Sequence, residues 1–76
     1  MQATINIQVF APNEDRDGWS YAGSTHIVKT GSARRGIGHS DLQAAGSDAI
    51  GMFGGDHDWC AVVNCEGFYP EFVRGR

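Results

Sequence analysis

The stretch TINIQVF, from Thr4 to Phe10, alternates polar and apolar side chains as far as Val9. Successive side chains of an extended strand point to opposite faces, so Ile5, Ile7 and Val9 fall on one side and the polar residues between them fall on the other. The stretch therefore predicts a strand that turns one face to the core and the other to water.

A turn-rich segment and a second strand follow this first strand. Residues 11–18 (APNEDRDG) collect proline, asparagine, aspartate and glycine, which favour turns and solvated loops. Trp19 to Thr30 is rich in aromatic and β-branched residues and predicts the second strand, with Gly23 as a bulge. Simple alternation would put Trp19 and Tyr21 on the same face as Ile27. The two strands together predict a hairpin with a long tip.

A helix is predicted after the glycine-rich connection of residues 31–38. Ser40 and Gln43 have the spacing of a capping box, and Asp41 suits the positive end of a helix dipole. Apolar residues recur at helical spacing from Leu42 to Phe53. Two glycines inside the segment each weaken a helix by about 1 kcal/mol, so this helix must depend on packing against the sheet.

Two short strands complete the pattern. Residues 59–64 form an apolar strand, and residues 68–73 form an aromatic strand that Pro70 restricts to an edge. The order is β-β-α-β-β. We expect an α+β fold in which a small antiparallel sheet carries one helix packed on one face, with residues 1–76 forming a single domain.

Composition limits the classes of function. The 76 residues are 41% hydrophobic and 20% charged, which is typical of one small globular core. The net charge of -3 argues against direct binding to nucleic acid, which requires a basic surface. Apolar runs are too short to cross a membrane, and no N-terminal signal pattern is present, so a cytoplasmic protein is expected.

The two cysteines and three histidines do not match a known site pattern. Cys60 and Cys65 have an odd spacing, which would place them on opposite faces of one strand and beyond disulfide distance. His57 and Cys60 form one His-x-x-Cys pair, whereas a structural zinc site needs a second pair. Acidic neighbours and apolar surroundings disfavour a reactive thiolate. We therefore expect no catalytic residue, no metal and no cofactor, and keep a minor thiol or zinc site at His57 and Cys60 as a third hypothesis.

The glycine-rich segment has two interpretations. It precedes a helix, as phosphate-binding loops do, but it lacks the Gly-Lys-Ser/Thr ending and the Gly-x-Gly-x-x-Gly pattern. A connector that displays Arg34 and Arg35 on the surface is the favoured interpretation.

Charged and aromatic surface residues are the better candidates for a functional role. Arginine and large aromatic residues contribute most of the binding energy at protein interfaces. The simpler alternative is that the aromatic residues of this chain only fill its core. The predicted partner-binding residues are Glu14, Asp15, Asp17, Trp19, Tyr21, Arg34, Arg35 and Tyr69.

In size, acidity, lack of a catalytic motif and β-β-α-β-β outline, the chain resembles the small proteins that phages make to disable host machinery, anti-CRISPR proteins among them. The resemblance covers the whole chain in these general properties and carries over no residue. It implies a non-enzymatic inhibitor that binds and blocks a host protein or ribonucleoprotein. The alternative is a small structural subunit or homo-oligomer, including a homodimer.

Overall fold

A four-stranded antiparallel sheet with one helix on one face makes up the computed structural model, which describes residues 1–75. The predicted α+β fold is confirmed. In chain order the elements are β1 (Gln2–Pro12), β2 (Trp19–Thr30), β3 (Ser32–Ala33), β4 (Gly36–Ile37), α1 (His39–Met52), β5 (Cys60–Cys65) and β6 (Glu71–Arg74). The strand order in the sheet is β2-β1-β5-β6, and β3 and β4 form a separate small parallel pair.

Strand β1 is central because it pairs with β2 on one side and β5 on the other. Its alternation is realised as predicted, since Ile5, Ile7 and Val9 are all buried under the helix. In register, Ile7 lies between Thr25 of β2 and Val63 of β5. The core is thus a single layer between the sheet and α1.

The N-cap residue of helix α1 lies two positions before the predicted one. Gly38 is the N-cap, and Ser40 lies inside the first turn, so the prediction that Ser40 caps the helix was wrong. The Asp41 carboxylate accepts a hydrogen bond from the Gly38 amide at 2.8 Å, which satisfies one of the free amides at the helix start. Asp41 also accepts a hydrogen bond from Lys29 Nζ at 2.7 Å, which joins the helix start to β2.

The helix packs over β5, β1 and β6 through small residues. Ala45, Gly46 and Ala49 are buried together with Leu42 and Ile50. Gly46 brings the helix backbone close to the sheet, because a Cβ atom built on it would lie 2.8 Å from Val73 Cβ. Strand β2 lies largely outside the area that the helix covers, although the ring of Phe53 at the helix end lies close to Gly23.

The connection between β2 and α1 is hydrogen-bonded and contributes to the core. Ser32 and Arg35 exchange backbone hydrogen bonds at 3.0 and 2.9 Å. Arg34 adopts a left-handed φ of 64°, and Ile37 inserts into the core with almost no exposed surface. The glycine-rich composition of this segment predicted only a connector, and the burial of Ile37 in the core is a difference from that prediction.

Candidate functional site

The sheet has one face that the helix does not cover, here called the open face. Strand positions on it alternate with the buried ones, so β1 contributes Thr4, Asn6 and Gln8, and β5 contributes Val62 and Asn64. Within residues 1–75 no helix packs against this face. It is therefore a surface that a partner can reach.

A bulge in β2 decides which aromatic side chains reach the open face. The β1–β2 register shifts at Val9 and Phe10, so that Val9 pairs with Gly23 while Phe10 pairs with Tyr21. The extra residue, Ala22, reverses the alternation on β2. Trp19 and Tyr21 therefore lie on the open face, and the expectation that they share a face with Ile27 was wrong.

Phe10, Trp19, Tyr21, Phe72 and Arg74 occupy neighbouring strand positions at one end of the open face, and we call them the aromatic patch. Phe10 and Tyr21 make an edge-to-face contact with ring centroids 5.9 Å apart. The Arg74 guanidinium lies over the Trp19 ring, 5.5 Å from its centroid, in cation–π geometry. Trp19, Tyr21 and Phe72 are 45%, 60% and 76% exposed.

Charge is distributed unevenly around the aromatic patch. Among the described residues no acidic side chain occupies a strand position on the open face, and no carboxylate pairs with Arg74. At its margin Arg16 Nη1 forms an ion pair with Asp58 Oδ2 at 3.1 Å. Pro12, Trp19 and Arg74 contribute with this pair to a hollow of about 280 Å³. The patch thus offers apolar rings and one cation without a carboxylate partner.

Polar side chains occupy the middle of the open face. Asn6, Gln8, Ser24, His26 and Asn64 line a shallow groove of about 350 Å³ between β2, β1 and β5. Amide and hydroxyl groups both donate and accept hydrogen bonds, so this groove can bond the backbone or polar side chains of a partner. It continues the aromatic patch along the strands.

The thiol of Cys60 lies beneath the aromatic patch. Cys60 pairs in register with Phe10 and Arg74 and is buried, as is Cys65. Burial raises the pKa of the Cys60 thiol, and the positive charge of Arg74 offsets this only in part. Both cysteines lie on β5 and are free, so their predicted separation on one strand is confirmed.

The residues of the third hypothesis do not converge on a site. The His57 side chain is exposed and lies 3.4 Å from Asp58 Oδ1, whereas Cys60 is buried. His39, at the helix start, instead lies 3.6 Å from Glu71 and stacks edge-on against Phe68. Residues 1–75 contain no cluster of three histidine, cysteine or acidic side chains that could hold a metal ion.

The structure divides the predicted partner-binding residues among three parts of the molecule. Trp19 and Tyr21 lie in the aromatic patch, next to the loop that carries Glu14, Asp15 and Asp17. Arg34 and Arg35 lie at the opposite end, about 30 Å or more from Trp19 along β2, whereas Tyr69 lies between the two ends in the β5–β6 connection, three residues from Phe72.

Phe10, Phe72 and Arg74 were not among the predicted partner-binding residues, although they belong to the aromatic patch. Phe72 and Arg74 alternate with buried Val73 on the last strand. That alternation was a usable signal, but the proximity of β6 to β1 could not be obtained from it.

No helix in residues 1–75 has the length and apolar character needed to cross a membrane. Comparisons of the chain with protein-family models, with curated proteins and with solved structures find no match.

Proposed function

We propose that the chain is a non-enzymatic interaction protein that binds another protein or a ribonucleoprotein through the aromatic patch. The observation that carries this proposal is the presence of three large, exposed aromatic side chains and one arginine on a single rigid face. Tryptophan, tyrosine and arginine are the residue types in which interface binding energy concentrates. Because they stand on paired strands, they lose little conformational freedom when a partner docks.

The resemblance to phage-encoded host inhibitors suggests the effect of this binding, which is to block a host protein. Occupying a functional surface of a larger host protein requires only a stable fold and a few anchoring side chains. The aromatic patch supplies the anchors, and the polar groove beside it supplies hydrogen-bonding groups for the rim of the interface. An anti-CRISPR-like inhibitor would act in this way, by steric block.

The test begins with identification of the partner by pull-down from the host, followed by quantitative binding with purified components. Phe72→Ala and Trp19→Ala should each weaken binding by about 30-fold, which corresponds to about 2 kcal/mol for a central aromatic anchor. Met52→Ala is the matched control, because it removes an exposed large apolar side chain from the end of α1, on the face of the sheet opposite the aromatic patch. Its affinity should equal that of the unmodified protein.

Single-stranded nucleic acid is the competing ligand, because bases stack on exposed aromatic rings. Fluorescence anisotropy with labelled single-stranded DNA and RNA oligonucleotides distinguishes the two. Micromolar binding that Trp19→Ala and Phe72→Ala abolish would replace the protein partner with nucleic acid. Loss of protein binding only in a variant that changes Cys60 and His57 would instead point to a thiol or metal site.

A further inference from the structure

The edge of the sheet formed by β2 is a second surface, which shares Trp19 and Tyr21 with the aromatic patch. Strand β2 has twelve residues and bonds only β1, so its other side presents backbone donors and acceptors along the whole strand. In the described part of the chain none of its residues is buried, and it carries four of the nine exposed large hydrophobic side chains. An open edge of this kind readily pairs with another strand.

The opposite edge of the same sheet, formed by β6, is protected against pairing with another strand. Strand β6 has four residues, follows Pro70 and carries the charged residues Glu71 and Arg74. Short length, proline and charge are the usual devices that prevent pairing at an edge. Strand β2 has two protective features, the bulge at Ala22 near its start and Lys29, which is held by Asp41 at 2.7 Å, so residues 23–28 between them carry no such device.

Charges at the two ends of β2 indicate what would pair with it. The loop immediately before the strand carries Glu14, Asp15 and Asp17, and the loop immediately after it carries Arg34 and Arg35. Within residues 1–75 neither arginine has a carboxylate partner. One edge therefore has an acidic end and a basic end, which is complementary to a copy of itself in reversed direction.

We propose that two copies of this chain associate through antiparallel pairing of β2 with β2 of the second copy. A two-fold axis makes the pairing antiparallel and gives the same contact twice. The acidic loop of each copy then lies beside Arg34 and Arg35 of the other, and the two Lys29 residues lie far apart. The product is a continuous eight-stranded sheet.

The size of the contact determines how stable this dimer is. Twelve residues extend over about 40 Å, which matches the 43 Å long axis of the molecule. An edge about 10 Å thick over that length covers about 400 Å² of each copy before flanking side chains such as Ile27 and Val28 are added. Stable interfaces bury about 800 Å² per partner, so the dimer should dissociate on dilution.

Sedimentation velocity over a concentration series tests the association. The unmodified protein should change from the 8.2 kDa monomer toward twice that mass as concentration rises. Ile27→Lys introduces a charge into the edge and should weaken the dimer at least about tenfold. Phe72→Ala, on the opposite edge, should leave the dimer unchanged. A protein that stays monomeric at millimolar concentration, or an Ile27→Lys variant that dimerises normally, would overturn the proposal.

Charge reversal at the two ends gives a sharper test of the antiparallel arrangement. One variant changes Glu14, Asp15 and Asp17 to Arg, and the other changes Arg34 and Arg35 to Glu. Each variant alone should dimerise at least about tenfold more weakly at low salt, and a mixture of the two should regain association as a heterodimer. High salt should remove most of the difference. Equal association in all combinations would refute this arrangement.

This proposal can fail independently of the proposed function. Trp19 and Tyr21 belong both to the β2 edge and to the aromatic patch, but Ile27 belongs only to the edge and Phe72 only to the patch. A variant such as Ile27→Lys should lose dimerisation and keep its affinity for the macromolecular partner. The reverse is expected for Phe72→Ala. The two readouts therefore separate the two surfaces.

Discussion

Replacing Gly46 by alanine is expected to destabilise the protein even though alanine is the better helix former. The substitution gains about 1 kcal/mol in helix propensity. The new Cβ, however, would lie 2.8 Å from Val73 Cβ and 3.0 Å from Val63 Cγ2. Carbon atoms in contact normally stand about 3.5–4.0 Å apart, so α1 would have to move away from the sheet.

The magnitude follows from these competing terms. Overpacking of this kind typically costs about 1–3 kcal/mol, and both valines stand on hydrogen-bonded strands that cannot retreat easily. The cost exceeds the gain in propensity, so Gly46→Ala should lower the free energy of unfolding by about 1 kcal/mol. For a domain of this size the midpoint of thermal unfolding should fall by about 4–8 °C.

Gly51 provides the matched control in the same helix. A Cβ built on Gly51 meets nothing within 4 Å. Gly51→Ala should therefore keep the gain in helix propensity and raise the free energy of unfolding by about 0.5–1 kcal/mol. The same substitution at these two glycines of one helix should therefore change the free energy of unfolding in opposite directions.

Urea denaturation followed by circular dichroism measures both effects. The double variant Gly46→Ala/Val73→Ala should lose less free energy of unfolding than the two single variants lose together, because alanine at position 73 makes room for the new methyl group at position 46. If Gly46→Ala stabilises the protein as much as Gly51→Ala does, then the helix does not approach the sheet closely at this position.

Three further predictions concern charge, backbone and thiol chemistry. The Lys29 ammonium and the Gly38 amide lower the pKa of Asp41 from its ordinary value of 3.8, so the carboxylate stabilises the fold above that pH and the contribution is lost as pH falls through the lowered pKa. Asp41→Asn should lower the urea midpoint at pH 7, and the gap to the unmodified protein should close as pH falls below 3.8; a gap that persists at low pH would contradict this. Arg34 has a left-handed backbone, which is strained for a residue with a Cβ but not for glycine. Relief of this strain should exceed the entropy that glycine adds to the unfolded chain, so Arg34→Gly should raise the free energy of unfolding by about 0.5 kcal/mol in dilute protein at high salt. A decrease would contradict the left-handed backbone at Arg34. Cys60 and Cys65 should react with Ellman's reagent only in denaturant, and rapid reaction in the native protein would show that one thiol is exposed.

Local patterns were enough to predict most elements of the fold. Alternation from Thr4 to Phe10 and the β-branched residues of 19–30 located the first two strands, because period-2 patterning reflects burial of one face directly. Helical spacing from Leu42 located α1. The helix start was misplaced because Ser40 fits a cap pattern, whereas Gly38 caps through its backbone and relies on the Asp41 side chain.

The candidate site depended on features that local patterns do not carry. One extra residue, Ala22, reverses the faces of β2 and brings Trp19 and Tyr21 to the open face. Gly23 predicted a bulge next to this position, but the segment did not show that Ala22 is the extra residue or that the bulge reverses the faces of Trp19 and Tyr21. The contact of Arg74 with Trp19 joins residues from opposite ends of the chain, which only the strand order β2-β1-β5-β6 places together.

The central position of β1 has a consequence for synthesis on the ribosome. Strands β1 and β2 emerge first and can form their hairpin at once, but β5 begins only at Cys60. Until α1 and β5 have been made, the apolar face of Ile5, Ile7 and Val9 has nothing to cover it, and an isolated hairpin is at best marginally stable. Folding of the sheet must therefore wait until β5 has been made, and the nascent hairpin is the species that a chaperone would need to protect.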